Sequence, residues 1–202
     1  RAFRSLMREL DGGIVVTELV SATGLRYENK KTQDLMAFDS IQHPIGVQIF
    51  GENNEDMAYA AKAVENLGAD FVDINFGCPV QKVVKKGAGA AALKDPIHFR
   101  DTLRSVKSAV KIPVTIKVRT GWDANSRNSH EIAQIAADEG MCWMAIHGRT
   151  RAQGYAGLSD WDYITEVKKA APLPILGNGD IASAKMANDR LKQSGCDGVL
   201  IG

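Results

Sequence analysis

Short runs rich in β-branched residues recur along the chain, at Ile14–Glu18, Ile45–Phe50, Phe71–Phe76, Val114–Arg119, Cys142–His147, Pro174–Gly177 and Gly198–Ile201. Each has the length and composition of a buried strand. Between them the apolar spacing lengthens to three or four residues. Ala60, Ala61, Val64 and Leu67 fall on one face of a helix predicted over Asp56–Leu67, and the run Ile132–Ala137 leads to Gly140, a helix stop. Strand and helix alternate throughout, the signature of successive βαβ units and a parallel sheet. Two closures fit, an open doubly wound sheet or a barrel, and the polar positions discriminate between them. Glu18, Gln48, Asp73, Asn75, Lys117, Arg119, His147, Asn178 and Asp180 all sit toward the C-terminal ends of strands. The period of two places Thr115, Lys117 and Arg119 on one face, with Val114, Ile116 and Val118 on the other. Polar groups converging from many strands suit a barrel mouth better than a single switch-point crevice. The expectation is an α/β TIM (β/α)8 barrel, one domain over residues 1–202. The chain opens on a helical pattern (Phe3, Leu6, Met7, Leu10) and closes on an apolar run ending at Gly202. Strand 1 and the last helix are therefore expected to lie outside it, in a longer protein.

Composition narrows the picture. With 45% hydrophobic and 24% charged residues in 202, the chain is a globular domain and not a disordered, collagen-like or coiled-coil one. No apolar run approaches the ~18 residues of a membrane helix. Cysteines at 78, 142 and 196 are odd in number and widely spaced, which predicts a reducing, cytoplasmic setting; no metal is expected. Lys+Arg of 25 against Asp+Glu of 24 gives a net charge of +1, so any nucleic-acid role has to rest on local charge placement.

Several residues are candidates for chemistry. Gly177-Asn178-Gly179-Asp180 and Gly202 end the last two strands, where barrels place backbone amides around a phosphate; the alternative is that the glycines only make tight turns. Lys117 faces inward, and an interior ammonium needs a partner: either a structural carboxylate, Glu18 or Asp73, or an electron-rich ligand. Gln48 and Asn75 suit the edge of a planar heterocycle, or simply satisfy polar groups in the core. Cys78, between Gly77 and Pro79, lies in a loop at the mouth and is suited to donate a proton, whereas Cys142 and Cys196 read as small core residues. Gly87–Ala92 matches the G-x-G-x-x-A dinucleotide fingerprint, but Lys82, Lys85 and Lys86 make a poor preceding strand, and a loop-to-helix start is favoured. Those lysines, with Arg127, Arg149 and Arg151, all fall on C-terminal loops, which makes one face basic and open to a polyanion or merely well solvated.

The segment Phe71-Val-Asp-Ile-Asn-Phe-Gly-Cys-Pro-Val80, followed by Lys82–Ala90, resembles the signature of the tRNA-dihydrouridine synthases, and so do Gly46–Gly51, Val114–Trp122 and Ala145–Tyr155. The likeness extends over essentially the whole chain and is strongest to the bacterial B subtype. It implies a flavoenzyme with a TIM-barrel catalytic domain that uses FMN and NADPH to reduce the C5–C6 double bond of uridines in tRNA. Cys78 would be the proton donor; Gln48 and Lys117 would contact FMN; Asn178, Gly179, Asp180 and Gly202 would hold its phosphate; His147 would lie near the flavin. Arg119 would likewise lie near the flavin and Asn75 near the target uracil; Arg119, Lys85, Lys86, Arg149 and Arg151 are candidate substrate contacts. The family's first strand, with its Ala-Pro-Met flavin contact, and its helical C-terminal domain are not in these residues. Two rival readings are a flavin oxidoreductase acting on a free pyrimidine or dihydroorotate-like metabolite and a non-catalytic RNA-binding module.

Overall fold

A computed structural model of the chain describes residues 1–202. Eight strands form one sheet in which every pairing is parallel: β1 (Val15–Val16), β2 (Val20–Ser21), β3 (Ile45–Phe50), β4 (Phe71–Phe76), β5 (Val114–Arg119), β6 (Met144–His147), β7 (Ile175–Asn178) and β8 (Gly198–Leu200). The connections are helical: α1 (Ala2–Glu9), α2 (Ala22–Arg26), α3 (Lys30–Met36), α4 (Asn54–Leu67), α5 (Gln81–Val84), α6 (Pro96–Ala109), α7 (Ser129–Asp138), α8 (Trp161–Ala170) and α9 (Ala184–Ser194). The long interval between β4 and β5 holds α5, a 3-10 turn over Gly89–Lys94 and α6. This is the βαβ series of a TIM barrel, with β1 and β8 at the two ends of the sheet path and unpaired with each other. No helix is long and apolar enough to cross a membrane.

The outward faces of the strands carry Val47, Ile49, Val72, Ile74, Ile116, Val118 and Ile146, all fully buried under the surrounding helices. The helices start where their side chains allow: Asn53 caps α4 by accepting the Asp56 N–H at 2.9 Å, and Asp95 caps α6 through the His98 N–H at 3.0 Å. Inside, Phe71 meets Trp143 with ring centroids 5.0 Å apart and closes the floor. Gly46 makes room for them, since a Cβ there would fall 2.3 Å from the Phe71 ring.

Two expectations need correction. The run Ile14–Glu18 is not one strand. Val15 faces Ile45 and Val20 faces Ile49, so five steps on one chain span four on β3, and β1 and β2 are two pieces of a single strand separated by a bulge. Thr17 bridges it: its N–H donates to the Gly46 carbonyl at 2.9 Å and its hydroxyl accepts the Gln48 N–H at 3.1 Å. Cys142 precedes β6 and is exposed, whereas Cys196 is buried as expected. The opening helix forms as expected, over Ala2–Glu9. Phe3 and Leu10 are 69% and 68% exposed, while Arg4 turns inward to Gln42, to the Ala37 carbonyl and to Glu18.

Candidate active site

Strand register sets the interior in three rungs. Gln48, Asp73 and Thr115 are cross-strand partners at the deepest level. Asn75, Lys117, Ala145 and Leu176 form the next, and Arg119, His147, Asn178 and Leu200 the one nearest the C-terminal mouth. The inward residues of the central strands thus share one side, stacked in barrel layers.

The deepest rung is a hydrogen-bonded relay. Thr115 Oγ1 donates to Asp73 Oδ1 at 2.6 Å, Gln48 Nε2 donates to Asp73 Oδ2 at 2.5 Å, and Asn75 Nδ2 donates to Gln48 Oε1 at 2.9 Å. Burial pushes the Asp73 carboxyl above its ordinary value, opposed by the bonds from Thr115 and Gln48 and by the charge of Lys117. The relay ends on the cysteine loop: Asn75 Oδ1 accepts the N–H groups of Gly77 at 3.1 Å and Cys78 at 2.8 Å. Gly89 packs beneath with φ +59°, where a Cβ would lie 2.8 Å from the Cys78 carbonyl oxygen. That close approach explains the glycine of the G-x-G-x-x-A stretch, which here opens a 3-10 turn and not a dinucleotide-binding helix.

Lys117 borders two adjoining clefts, of about 400 Å³ and about 330 Å³, which share Lys117, Leu200 and Gly202. Its ammonium forms no hydrogen bond. Burial lowers its pKa to about 8, with Asp73 opposing and Arg119 adding to the fall. Neither carboxylate anticipated for it forms an ion pair with it: Glu18 pairs with Arg4, and Asp73 is bonded to Thr115 and Gln48. The larger cleft, bordered also by Gln48 and Thr17, runs along the seam between β1 and β8. The smaller is lined by His147, Tyr155, Asn178, Gly179 and Asp180.

At that smaller corner the chain is built tightly. Gly179, at φ +120°, would place a Cβ 1.9 Å from Ser159 Oγ, and the Trp161 indole N–H donates to its carbonyl at 3.0 Å. Gly177 packs flat on the same indole, where a Cβ would lie 2.3 Å from the ring. Asn178 Nδ2 donates to the Leu200 carbonyl at 2.8 Å and ties β7 to β8. The Asp180 carboxylate is turned onto the Ser159 N–H at 2.6 Å and onto Arg149 at 2.8 and 3.0 Å. The main-chain N–H groups of Gly179 and Asp180 meet no acceptor in the chain. A free pair of amides beside a neutralised carboxylate and a free ammonium is chemically an anion cradle.

The family model described as "Dihydrouridine synthase (Dus)" matches residues 1–202. The chain belongs to this family. Among similar proteins are the "tRNA-dihydrouridine synthase B" of Pseudomonas syringae pv. tomato, 44% identical over 99% of this chain and 59% of the relative, and that of Vibrio cholerae, 42% identical over 100% and 63%. The chain thus spans about three-fifths of the length of these relatives. Two solved structures share the fold: a histamine dehydrogenase from Rhizobium sp. 4-9 (TM-score 0.68, 12% identity, 98% of this chain and 40% of that one) and a mandelate oxidase (0.64, 16%, 100% and 59%).

In this dihydrouridine synthase barrel the remaining expected residues divide by burial. Arg119 is 2% exposed, and its guanidinium donates to the carbonyls of Gly77 at 2.8 Å, Thr150 at 2.9 Å and Gly154 at 2.7 Å. It straps the cysteine loop to the loop after β6. Arg149 does the same for residues 156–159 and Asp180. Arg151 reaches Gln81 at 2.8 Å and stacks 4.5 Å from the Trp122 ring, whereas Lys85 and Lys86 are exposed just past α5. Sequence reasoning missed Tyr155, 78% exposed with its ring 5.6 Å from the Arg119 guanidinium, and missed Trp161 and Ser159. An aromatic between Gly154 and Gly157 in a mouth loop was the available signal for Tyr155. No group of three or more His, Cys, Asp or Glu side chains is placed to hold a metal ion.

Proposed function

We propose that this barrel is the catalytic part of a tRNA-dihydrouridine synthase, which reduces the C5–C6 double bond of a uridine in tRNA with FMN as cofactor and NADPH as electron source. The observation that carries the reading is Lys117. A half-buried, inward-facing ammonium without a bonded carboxylate borders an anion cradle and stands in register with Asn75, the residue that holds the Cys78 loop. Family membership over the whole chain supports the substrate class.

A phosphorylated planar cofactor fits these residues. The unpaired amides of Gly179 and Asp180 suit its phosphate, with Asn178 and Gly202 at the same cleft. Lys117, Gln48 and His147 would face its ring system. When bound and reduced by NADPH, FMN supplies the hydride for C6 of the base. Lys117 places positive charge beside an electron-rich ring and favours it. Cys78 gives its thiol proton to C5, and Asn75 fixes the loop from which it does so. Arg119, through Nε and Nη1, and Arg149 strap the loops around the mouth, and Arg119 Nη2 is left without a partner in the chain, available to substrate. Tyr155 offers an exposed face on which a flipped-out base can stack. Lys85, Lys86 and Arg151 lie on the loops nearest the cysteine and would meet tRNA phosphates in the cytoplasm.

Chain supplied with FMN, NADPH and tRNA lacking dihydrouridine should produce nucleosides heavier by two hydrogens, and free uridine should not be turned over. Reduction of free uridine at a comparable rate would replace the tRNA reading with a free-pyrimidine one.

A further inference from the structure

We propose that Arg149 is a positioning residue that fixes His147 as an uncharged hydrogen-bond donor, offering Nδ1–H to the cleft beside Lys117. Arg149 Nη1 lies 3.1 Å from His147 Nε2. A guanidinium has only donors, so Nε2 is the acceptor and bears no proton. The neutral ring then carries its proton on Nδ1. Arg149 is itself held: Nε donates to the Ala156 carbonyl at 3.2 Å, Nη1 to Ser159 Oγ at 3.2 Å, and Nη2 to the Gly157 carbonyl at 2.7 Å and to Asp180. A side chain 6% exposed with that many partners has no other place to go.

The ring orientation follows from its packed edge. Nε2 faces Arg149, and a Cβ on Gly179 would lie 2.9 Å from Cδ2, so that edge is enclosed. The opposite edge, with Nδ1, has no partner in the chain and borders the cleft with Lys117 and Asn178. The charges around the ring agree. Arg119 faces it in register on β5, Lys117 lies one rung below, Arg149 follows β6, Asp180 follows β7, and the Tyr155 ring lies 6.5 Å away. Burial, reinforced by Arg119, Lys117 and Arg149 and opposed by Asp180, lowers its pKa to about 4. His147 therefore does not serve as the acid of the reaction at neutral pH. It is a fixed neutral donor for an acceptor atom on the ligand. That the ligand is a flavin rests on the function proposed above; the tautomer does not.

Long-range nitrogen–proton NMR of the ring in the whole, unsubstituted chain decides the tautomer. Expected is an unprotonated Nε2 and a protonated Nδ1 from about pH 5.5 to about pH 8.5, without titration. A protonated Nε2, or a midpoint near the ordinary 6.5, overturns the proposal. In Arg149→Met the midpoint should move from about 4 toward 6.5 with mixed tautomers; a folded variant with an unchanged ring would show that Arg149 sets nothing. If that variant does not fold, the spectrum of the unsubstituted chain still supports or overturns the proposal. Adding FMN should shift Nδ1 and leave Nε2 in place. FMN bound, as read by its absorbance, without movement of Nδ1 refutes the donor role, whereas no FMN binding with the tautomer as expected refutes the flavin reading alone.

Discussion

At the scale of the residue, the site separates groups that react from groups that hold them. On the proposed reading Cys78 is the proton donor, so Cys78→Ala should leave reduction of bound flavin by NADPH intact while dihydrouridine formation falls by about 10²–10⁴; stopped-flow flavin bleaching and nucleoside analysis separate the two. Lys117 carries an opposing pair of effects. Its native pKa, about 8, lies below the ordinary 10.5, so the native state holds the proton more weakly than the unfolded chain. The burial penalty is complete below about pH 8 and fades as pH rises toward 10.5, across which stability climbs. Lys117→Met should therefore stabilise the free chain at neutral pH by up to about 3 kcal/mol in urea unfolding, lose that gain near pH 10.5, and weaken flavin binding. Residue types with an intrinsic chemical demand were legible in the sequence: an inward lysine, a mouth cysteine, glycines at strand ends. The loop partners of Arg119 and Arg149 were not, because they are mainly main-chain carbonyls of irregular loops, whose positions no periodicity encodes.

The elements show the same division. β4 and β5 follow from their alternation without error, since both faces are covered and one slip would invert every side chain. The first strand does not, because its bulge places one extra residue against β3 and leaves Thr17 to bridge the gap. Thr17→Val keeps the volume and removes the acceptor of the Gln48 N–H. It should cost about 1–3 kcal/mol in denaturant unfolding, with broadened signals for Gln48 and Asp73 in NMR spectra. α1 was legible as a helix and illegible in orientation: its spacing marks an apolar face, yet Arg4 finds Gln42, Glu18 and a carbonyl inside, and Phe3 and Leu10 stay outside.

For the molecule as a whole the net charge is +1, but Lys82, Lys85 and Lys86 sit in and just past α5, after β4, where Arg151 bonds to Gln81. Replacing Lys85 and Lys86 together by Glu should weaken tRNA binding tenfold or more and reduce the slope of log affinity against log salt by about two, with flavin affinity unchanged, in filter-binding titrations. The barrel class was legible from strand spacing and from polar strand ends. That β1 and β8 stay unpaired and border the larger cleft was not, because which strand edges pair is decided between residues distant in sequence and not by any local pattern. The indole of Trp161 packs against Gly177 at the end of β7 and donates to the Gly179 carbonyl. The fold has thereby installed an optical gauge beside the corner proposed for the phosphate: with the other two tryptophans, Trp122 and Trp143, replaced by Phe, emission from Trp161 should dim as FMN is titrated in, reporting occupancy without any label.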